Sequence, residues 1–486
     1  MSTDSSVSCA VHRLGLITAT LSTLALAAPA GAAPTSEAVA AQLRDAAMGG
    51  HSSAYAWVSE LTTRFGPRPA GSSNEHAAAD WAAARLKALG FDNVHIESFP
   101  ITAWVRGGES AAITAPGTQP LTVAALGESP PTAAAGLDGE VALFATLAEL
   151  KAASPGTLAG KIAMVNERMV RTQDGAGYSA AVEGRAHGPG EAAQRGAIAF
   201  LLRSVGTDSH RIAHTGTTRY LDGRVPVPAF ALSAPDADQI ERLVKLGERV
   251  RVHLFSGASY VPNAHSQNVI AEVRGRERPQ EVVLLGAHLD SWDQGTGAID
   301  DGTGTAIVTA AAKLIHDLPR RPRRTVRVVL FGSEEVAQPG PPDGIFGGHA
   351  YVTSHGRELA NHVLAGESDF GTDRVYAFAL PKSVSGGEFA RTVLRVLNPI
   401  GIIASSGPPT ETGADIGPCV EAGVPALQLS QDGTYYFDIH HTADDTLDKV
   451  DRAQLDQNVA AWAALVWLAA DSAVDFRRQA APEPKS

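Results

Sequence analysis

The run Val282-Val-Leu-Leu-Gly-Ala-His288-Leu-Asp290-Ser-Trp-Asp-Gln-Gly-Thr-Gly297-Ala-Ile-Asp300-Asp301-Gly-Thr-Gly304 decides how this chain is read. Its first part is unbroken and apolar, as expected of a strand buried on both faces of a parallel sheet, and it ends on a histidine. From Thr305 to Ile315 apolar positions recur at helical spacing, and further strands are predicted at Val326 to Phe331, Val363 to Ala365 and Ala426 to Leu429. Alternating strands and helices predict an α/β fold, a mainly parallel mixed sheet sandwiched by helices. In such sheets ligands gather beyond the carboxyl ends of the strands. The polar residues of interest all lie just past such an end.

Upstream, Ser36 to Leu89 reads as two helices separated by a breaker loop of Gly66, Pro67, Arg68, Pro69 and Gly71. Val94 to Ile101 alternates as an edge strand does. Residues 107–261 change character: short β-like runs (Val141 to Phe144, Ile162 to Val165, Ala197 to Leu202, Pro228 to Leu232) stand between Gly-, Pro- and Ala-rich loops. This predicts a β-rich domain inserted between residues 33–106 and 262–475, which together make the main domain. The end, 476–486, is Pro, Ala and charge and reads as a disordered tail.

At 486 residues and 44% hydrophobic content the chain can bury full-sized cores. A formal charge of -12 argues against nucleic acid as partner, since phosphate binding needs clustered positive charge. The basic run Arg320 to Arg324 is broken by Pro322 and reads as a solvated loop. Near the start, His12 and Arg13 precede an apolar stretch from Leu14 to Ala28, and Ala30 and Ala32 flank Gly31. That is the pattern of a signal peptide over 1–32. The apolar stretch is about 15 residues, short of the ~20 that span a bilayer; an uncleaved anchor is the other reading. The expectation is a secreted or periplasmic protein, with no membrane contact after cleavage. Cys9 falls inside the signal, so Cys419 is the single thiol left, and a buried apolar role suits it.

Acidic residues and histidines cluster at the strand ends. His288 can bind a metal through one ring nitrogen while Asp290 accepts from the other, although a strand-end histidine is also commonly structural. Asp300 and Asp301 open a helix, where aspartate serves as a cap. Two of them framed by Gly297, Gly302 and Gly304 suggest in addition an oxygen ligand shared by two cations. Glu334 and Glu335 follow Phe331, Asp369 follows another apolar run, and His441 follows the last strand. Buried carboxylates are costly without cations, whereas exposed glutamates would escape that cost. Taken together, His288, Asp300, Glu335, Asp369 and His441 form a ligand set for two metals. Two Zn²⁺ carry +4 and Asp300, Glu335 and Asp369 carry -3, so Glu334 completes the balance. The mixed nitrogen and oxygen donors favour zinc, with cobalt or manganese as substitutes.

With these residues in view, the chain resembles the co-catalytic zinc aminopeptidase and glutamate carboxypeptidase family. The resemblance is carried by Gly286 to Gly304, Ser333-Glu334-Glu335, Glu367-Ser368-Asp369, Gly413-Ala414-Asp415, His440-His441-Thr442 and Asp445-Thr446, with Gly66-Pro67-Arg68 and His214-Thr215-Gly216 in support. It implies that His288 and Asp369 hold one zinc, that Glu335 and His441 hold the other, and that Asp300 bridges them. It further implies Glu334 as general base, Asp290 as the residue orienting His288, a cis peptide between Asp300 and Asp301, a protease-associated-like inserted domain and a homodimer. The expected reaction is hydrolysis of short unblocked peptides, with dipeptides foremost. One departure is a Pro- and Gly-rich loop, Val336 to Gly348, that looks longer than its family counterpart. Three other readings stay open: an aminopeptidase of the same family, a single-zinc cyclase resembling glutaminyl cyclase, and a non-catalytic binding module. Asp415 reads equally as a helix cap or as support for the site.

Overall fold

The computed structural model describes residues 34–219, 227–336, 344–410 and 412–477, and one unit runs from Ser36 to Ser486. The expected signal peptide, residues 337–343 of the Val336 to Gly348 loop, and 478–486 of the tail lie outside the described residues.

A five-stranded sheet organises the main part. Its order is Asp92–Val105, Ser259–Val273, Arg324–Phe331, Arg278–His288, His362–Glu367. The first two pairings are antiparallel, and Arg278–His288 runs parallel to both of its neighbours. The sheet is therefore mixed, with its parallel strands together on one side. Side chains alternate across the pleat: Val283, Leu285, Val328 and Leu330 face one core with Leu43, Trp57, Ile307 and Trp462, while Val282, Leu284, Val329 and Phe331 face another with Tyr351, Ile416 and Cys419. Both faces are covered by helices, which is why the strands read as continuous apolar runs. Burial pushes the Cys419 thiol up to about 12, so it is an inert core group.

Four details differ from the sequence reading. The stretch before Leu89 holds three helices, Ser36–Met48, Ala54–Phe65 and Ser73–Ala88, because Gly49 and the left-handed Gly50 (φ 76°) break the first. The run Ala426 to Leu429 straddles two sheets: Ala426 bridges Ala365 of the central sheet, whereas Gln428–Gln431 pairs antiparallel with Val375–Ala379. The glycines at 347 and 348 belong to the helix Phe346–His355, where a Cβ on Gly347 would lie 2.4 Å from the Gly332 carbonyl oxygen. The tail begins later than expected, since Phe476 is buried in the main core and Arg477 donates to the Ala360 carbonyl at 2.8 Å.

Residues 109–256 build a separate eight-stranded sheet. Among its described residues lie the helices Ala176–Gln194 and Ala234–Lys245, besides the short Leu147–Ala152, where the sequence predicts loops. The first contains Pro189 and several glycines, poor helix formers on propensity. Packing explains one of them: a Cβ on Gly188 would lie 2.3 Å from the Phe200 ring. The strand Ser259–Val273 crosses the expected 261/262 boundary and pairs with Asp92–Val105 along most of its length. Among the described residues, no helix is long and apolar enough to cross a membrane.

Candidate metal centre

Parallel strands bring the first residues to one level. Register pairs His288 with Phe331 and Gly286 with Glu367, so His288, the Glu334–Glu335 pair and Asp369 all emerge at the same end of the sheet. Ser333 takes a left-handed backbone (φ 60°), rare for a non-glycine residue. Just beyond this bend the Glu334 and Glu335 amides donate to the two carboxylate oxygens of Asp290, at 3.1 and 3.2 Å. Asp290 meets His288 mainly through its backbone: its carbonyl oxygen lies 3.0 Å from Nδ1 and its carboxylate 3.8 Å away.

The Asp300 turn is held from three sides. Asp445 accepts the amides of Ala298, Ile299 and Asp300 at 2.9, 2.7 and 3.2 Å. Asp301 accepts the His288 amide at 3.1 Å and the Gly304 amide at 2.9 Å, tying strand end to helix start. A Cβ on Gly304 would lie 2.0 Å from the Ser368 carbonyl oxygen, so only glycine fits there. Arg68, fully buried, donates to the carbonyls of Gly66, Leu289, Thr296 and Gly297 at 2.6–2.9 Å and staples the intervening loop. The Asp300–Asp301 peptide is cis.

Two imidazoles then converge on Asp300, one on each carboxylate oxygen. His288 Nε2 lies 3.1 Å from Asp300 Oδ1 and 3.3 Å from Asp369 Oδ1. His441 Nε2 lies 3.4 Å from Asp300 Oδ2 and 3.0 Å from Glu335 Oε2. In both rings Nδ1 faces a backbone carbonyl, of Asp290 and of Thr215 (3.3 Å). A carbonyl only accepts, so Nδ1 carries a proton in both rings. His441, which burial keeps neutral, turns the lone pair of Nε2 toward carboxylate oxygens, a repulsive contact unless a cation stands between, and His288 Nε2 meets its two carboxylates only through a second proton or a cation. Glu335 Oε1 is likewise buried without a hydrogen-bond partner. The donor set therefore fits metal ions. Ligand atoms of His288, Asp300 and Glu335 lie within 4.8 Å of one another, as do those of Asp300, His440 and His441 and those of His288, Asp301 and Asp369.

Electrostatics follow from burial. Burial raises Glu334 and Glu335 well above the usual carboxylate range, with neighbouring carboxylates adding to it. Burial also raises Asp369, and Asp445 to about 7. On Asp300 burial works upward, yet the neighbouring imidazoles, His288 first, hold it below its ordinary value. Burial pushes His441 down to about 3; at His288 burial is outweighed by Asp369 and Asp300, and the ring is raised. Asp290, Asp301, Glu367 and Asp415 are raised as well, each mainly by burial. The centre is thus more acidic than the four carboxylates counted in sequence.

All five expected ligands meet here, with Glu334 half-buried beside them. Sequence reasoning missed several contributors. His440 stacks on His441 with ring centroids 3.5 Å apart, and its Nε2 is 3.6 Å from Asp300 Oδ2, farther than that of His441. Tyr178 stacks on Phe437 and meets His440 edge-on. Thr215 and Thr217, from the 109–256 part, touch the backbones of His441 and Glu335. The His214-Thr215-Gly216 motif was visible in sequence, but nothing local said that it reaches the centre.

A family model described as peptidase family M28 matches residues 268–466. The chain is 36% identical over 419 residues to carboxypeptidase Q of Bos taurus, covering 86% of this chain and 85% of that one. It is 34% identical over 419 residues to carboxypeptidase Q of Homo sapiens, with the same coverage. Among solved structures, the peptidase M28 precursor from Shewanella amazonensis SB2B superposes with a TM-score of 0.87 at 43% identity, covering 92% of this chain and 99% of that chain. A zinc aminopeptidase from Bacillus subtilis, at 21% identity and a TM-score of 0.60 over 86% of this chain and 94% of that chain, shares the fold.

Proposed function

This chain belongs to peptidase family M28, and from that premise we propose a two-zinc exopeptidase that hydrolyses short unblocked peptides, dipeptides above all. The observation that carries the two-metal reading is Asp300, whose Oδ1 faces His288 and whose Oδ2 faces His441. On this reading His288 and Asp369 hold one zinc, Glu335 and His441 hold the other, and Asp300 serves both. Zinc bound there supplies Lewis acidity toward the peptide carbonyl and lowers the pKa of water. Glu334 takes a proton from the attacking water at its carboxylate and delivers it to the departing amine nitrogen. A positioned carboxylate serves both halves of that transfer. Asp290, which accepts the Glu334 amide, holds the base in place. A single-zinc centre would leave one half of this symmetrical arrangement without purpose.

We read the 109–256 sheet as an accessory domain of protease-associated type that limits access to the centre, the 1–32 segment as a cleaved export signal, and the assembly as a homodimer. Metal analysis joined to peptide hydrolysis tests the proposal. Two zinc ions per chain are expected, with free dipeptides cleaved and their acetylated or amidated forms resisted. A fully active enzyme holding one metal would refute the zinc count, and efficient cleavage of blocked peptides would refute the specificity.

A further inference from the structure

The 109–256 part meets the main chain of the metal centre through a short segment, His214 to Thr217, while its Tyr178 meets the His440 ring edge-on. Thr215 and His441 are joined twice: the Thr215 amide donates to the His441 carbonyl at 3.0 Å, and His441 Nδ1 lies 3.3 Å from the Thr215 carbonyl oxygen. Thr217 Oγ1 donates to the Glu335 carbonyl at 3.0 Å. His214, clamped by Asp208 at 2.7 Å, places Nδ1 2.8 Å from the His440 carbonyl. Residues from outside the central sheet thus grip the main chain of both Glu335 and His441. By contrast His288 is supported from within its own part, by Asp290 and Asp301.

Arg185 holds this segment. It projects from the helix Ala176–Gln194 and is 7% exposed. Among the described residues no carboxylate forms an ion pair with it. Its Nε donates to the Thr217 carbonyl at 3.3 Å, Nη1 to the Thr215 carbonyl at 3.4 Å and Nη2 to Tyr178 Oη at 2.7 Å. Gly216 between them has φ 140°, and a Cβ there would sit 2.3 Å from the guanidinium, so the cation lies flat against the segment. Burying a guanidinium without a counter-ion is costly, and its planar fork meets the two carbonyls in a way an ammonium cannot. The Thr215 carbonyl so held is the one that fixes the proton on His441 Nδ1 and aims Nε2 at Glu335 and Asp300.

We propose that Arg185 is a positioning residue for the zinc held by Glu335 and His441, acting through the carbonyls of Thr215 and Thr217, and that the zinc held by His288 and Asp369 does not depend on it. This rests on the two-zinc reading above.

The test is competition for zinc against a chromogenic chelator, resolving the two sites, in the full-length chain and in Arg185→Met and Arg185→Lys. Loss of an outer partner typically lowers metal affinity ~10- to 100-fold, and that loss is expected at one site of Arg185→Met with the other site unmoved. Arg185→Lys should fall between this variant and the parent, and if Arg185→Met does not fold, Arg185→Lys is judged against the parent by the same selective loss. Equal weakening of both sites, or no change at either, overturns the proposal. A parent chain that takes up one zinc refutes the two-zinc reading, and the proposal with it, before any variant is compared.

Discussion

The Asp290 carboxylate receives the Glu334 amide at 3.1 Å and so anchors the bend from which two adjacent glutamates diverge. Glu335, buried, places Oε2 3.0 Å from His441, while Glu334 is half-buried. With Glu334 as the proposed base, Glu334→Gln should keep the two proposed metals and near-normal substrate affinity while kcat falls by ~10² to 10⁴. Glu335→Gln should lose zinc and regain part of its activity at high zinc. Bound metal and kcat measured side by side decide it; metal loss in the first variant with retention in the second would reverse the two roles.

Asp445 gathers three amides of the turn that carries Asp300. In Asp445→Asn one acceptor oxygen becomes a donor facing an amide N–H, which leaves buried donors opposed. A loss of about 1–3 kcal/mol in urea unfolding is expected, together with weaker zinc binding at both of the proposed sites, which on that proposal share Asp300. Unchanged stability and zinc affinity would show that the turn holds without it.

His362 offers a stability switch far from the centre. Its Nδ1 donates to the Glu358 carbonyl (3.1 Å) and its Nε2 faces Tyr351 Oη (2.7 Å), a hydroxyl that also accepts from Arg327. Burial, assisted by the Arg327 charge, pushes its pKa down to about 4 from 6.5. The unfolded chain binds this proton below about 6.5 and the folded chain only below about 4, so stability is lost as pH falls through that window. The loss amounts to about 3 kcal/mol. Urea unfolding at pH 7 and pH 4.5 should show a slope that is shallower in His362→Gln; an identical slope would assign the acid sensitivity elsewhere.

Metal removal should destabilise the fold. Carboxylates converge on the centre, and an ion that binds only the folded chain adds RT ln(1 + [L]/Kd), ~2.7 kcal/mol per site at a hundredfold excess over Kd. A chelator should lower Tm and restored zinc should raise it in a concentration-dependent way. A Tm indifferent to both would mean that the carboxylates are balanced by protons alone.

Much of this protein is local in its chain and so was open to a reader of the sequence. Val282 to Ala287 is apolar because both sheet faces are covered, and His288, Glu334, Glu335 and Asp369 each follow such a run within a few residues, so strand prediction alone carries them to one end of the sheet. The glycine frame around Asp300 and Asp301 announces a crowded turn for the same reason. The helix Ala176–Gln194 was hidden, because its glycines and Pro189 oppose helix on propensity and only packing against partners such as Phe200 allows them. The break at Ala426 was hidden too, since an apolar strand does not say which sheet it joins. Least visible were the pairings across long separations: Thr215 with His441, 226 residues apart, and Asp445 with the Asp300 turn, about 145 apart. Hydrogen bonds of this kind leave no period or spacing in the chain, because the partners are chosen by how distant segments pack within one compact unit. Side-chain chemistry decided which residues are able to hold a metal; tertiary packing decided which imidazole turns its Nε2 toward Glu335, and what holds it there.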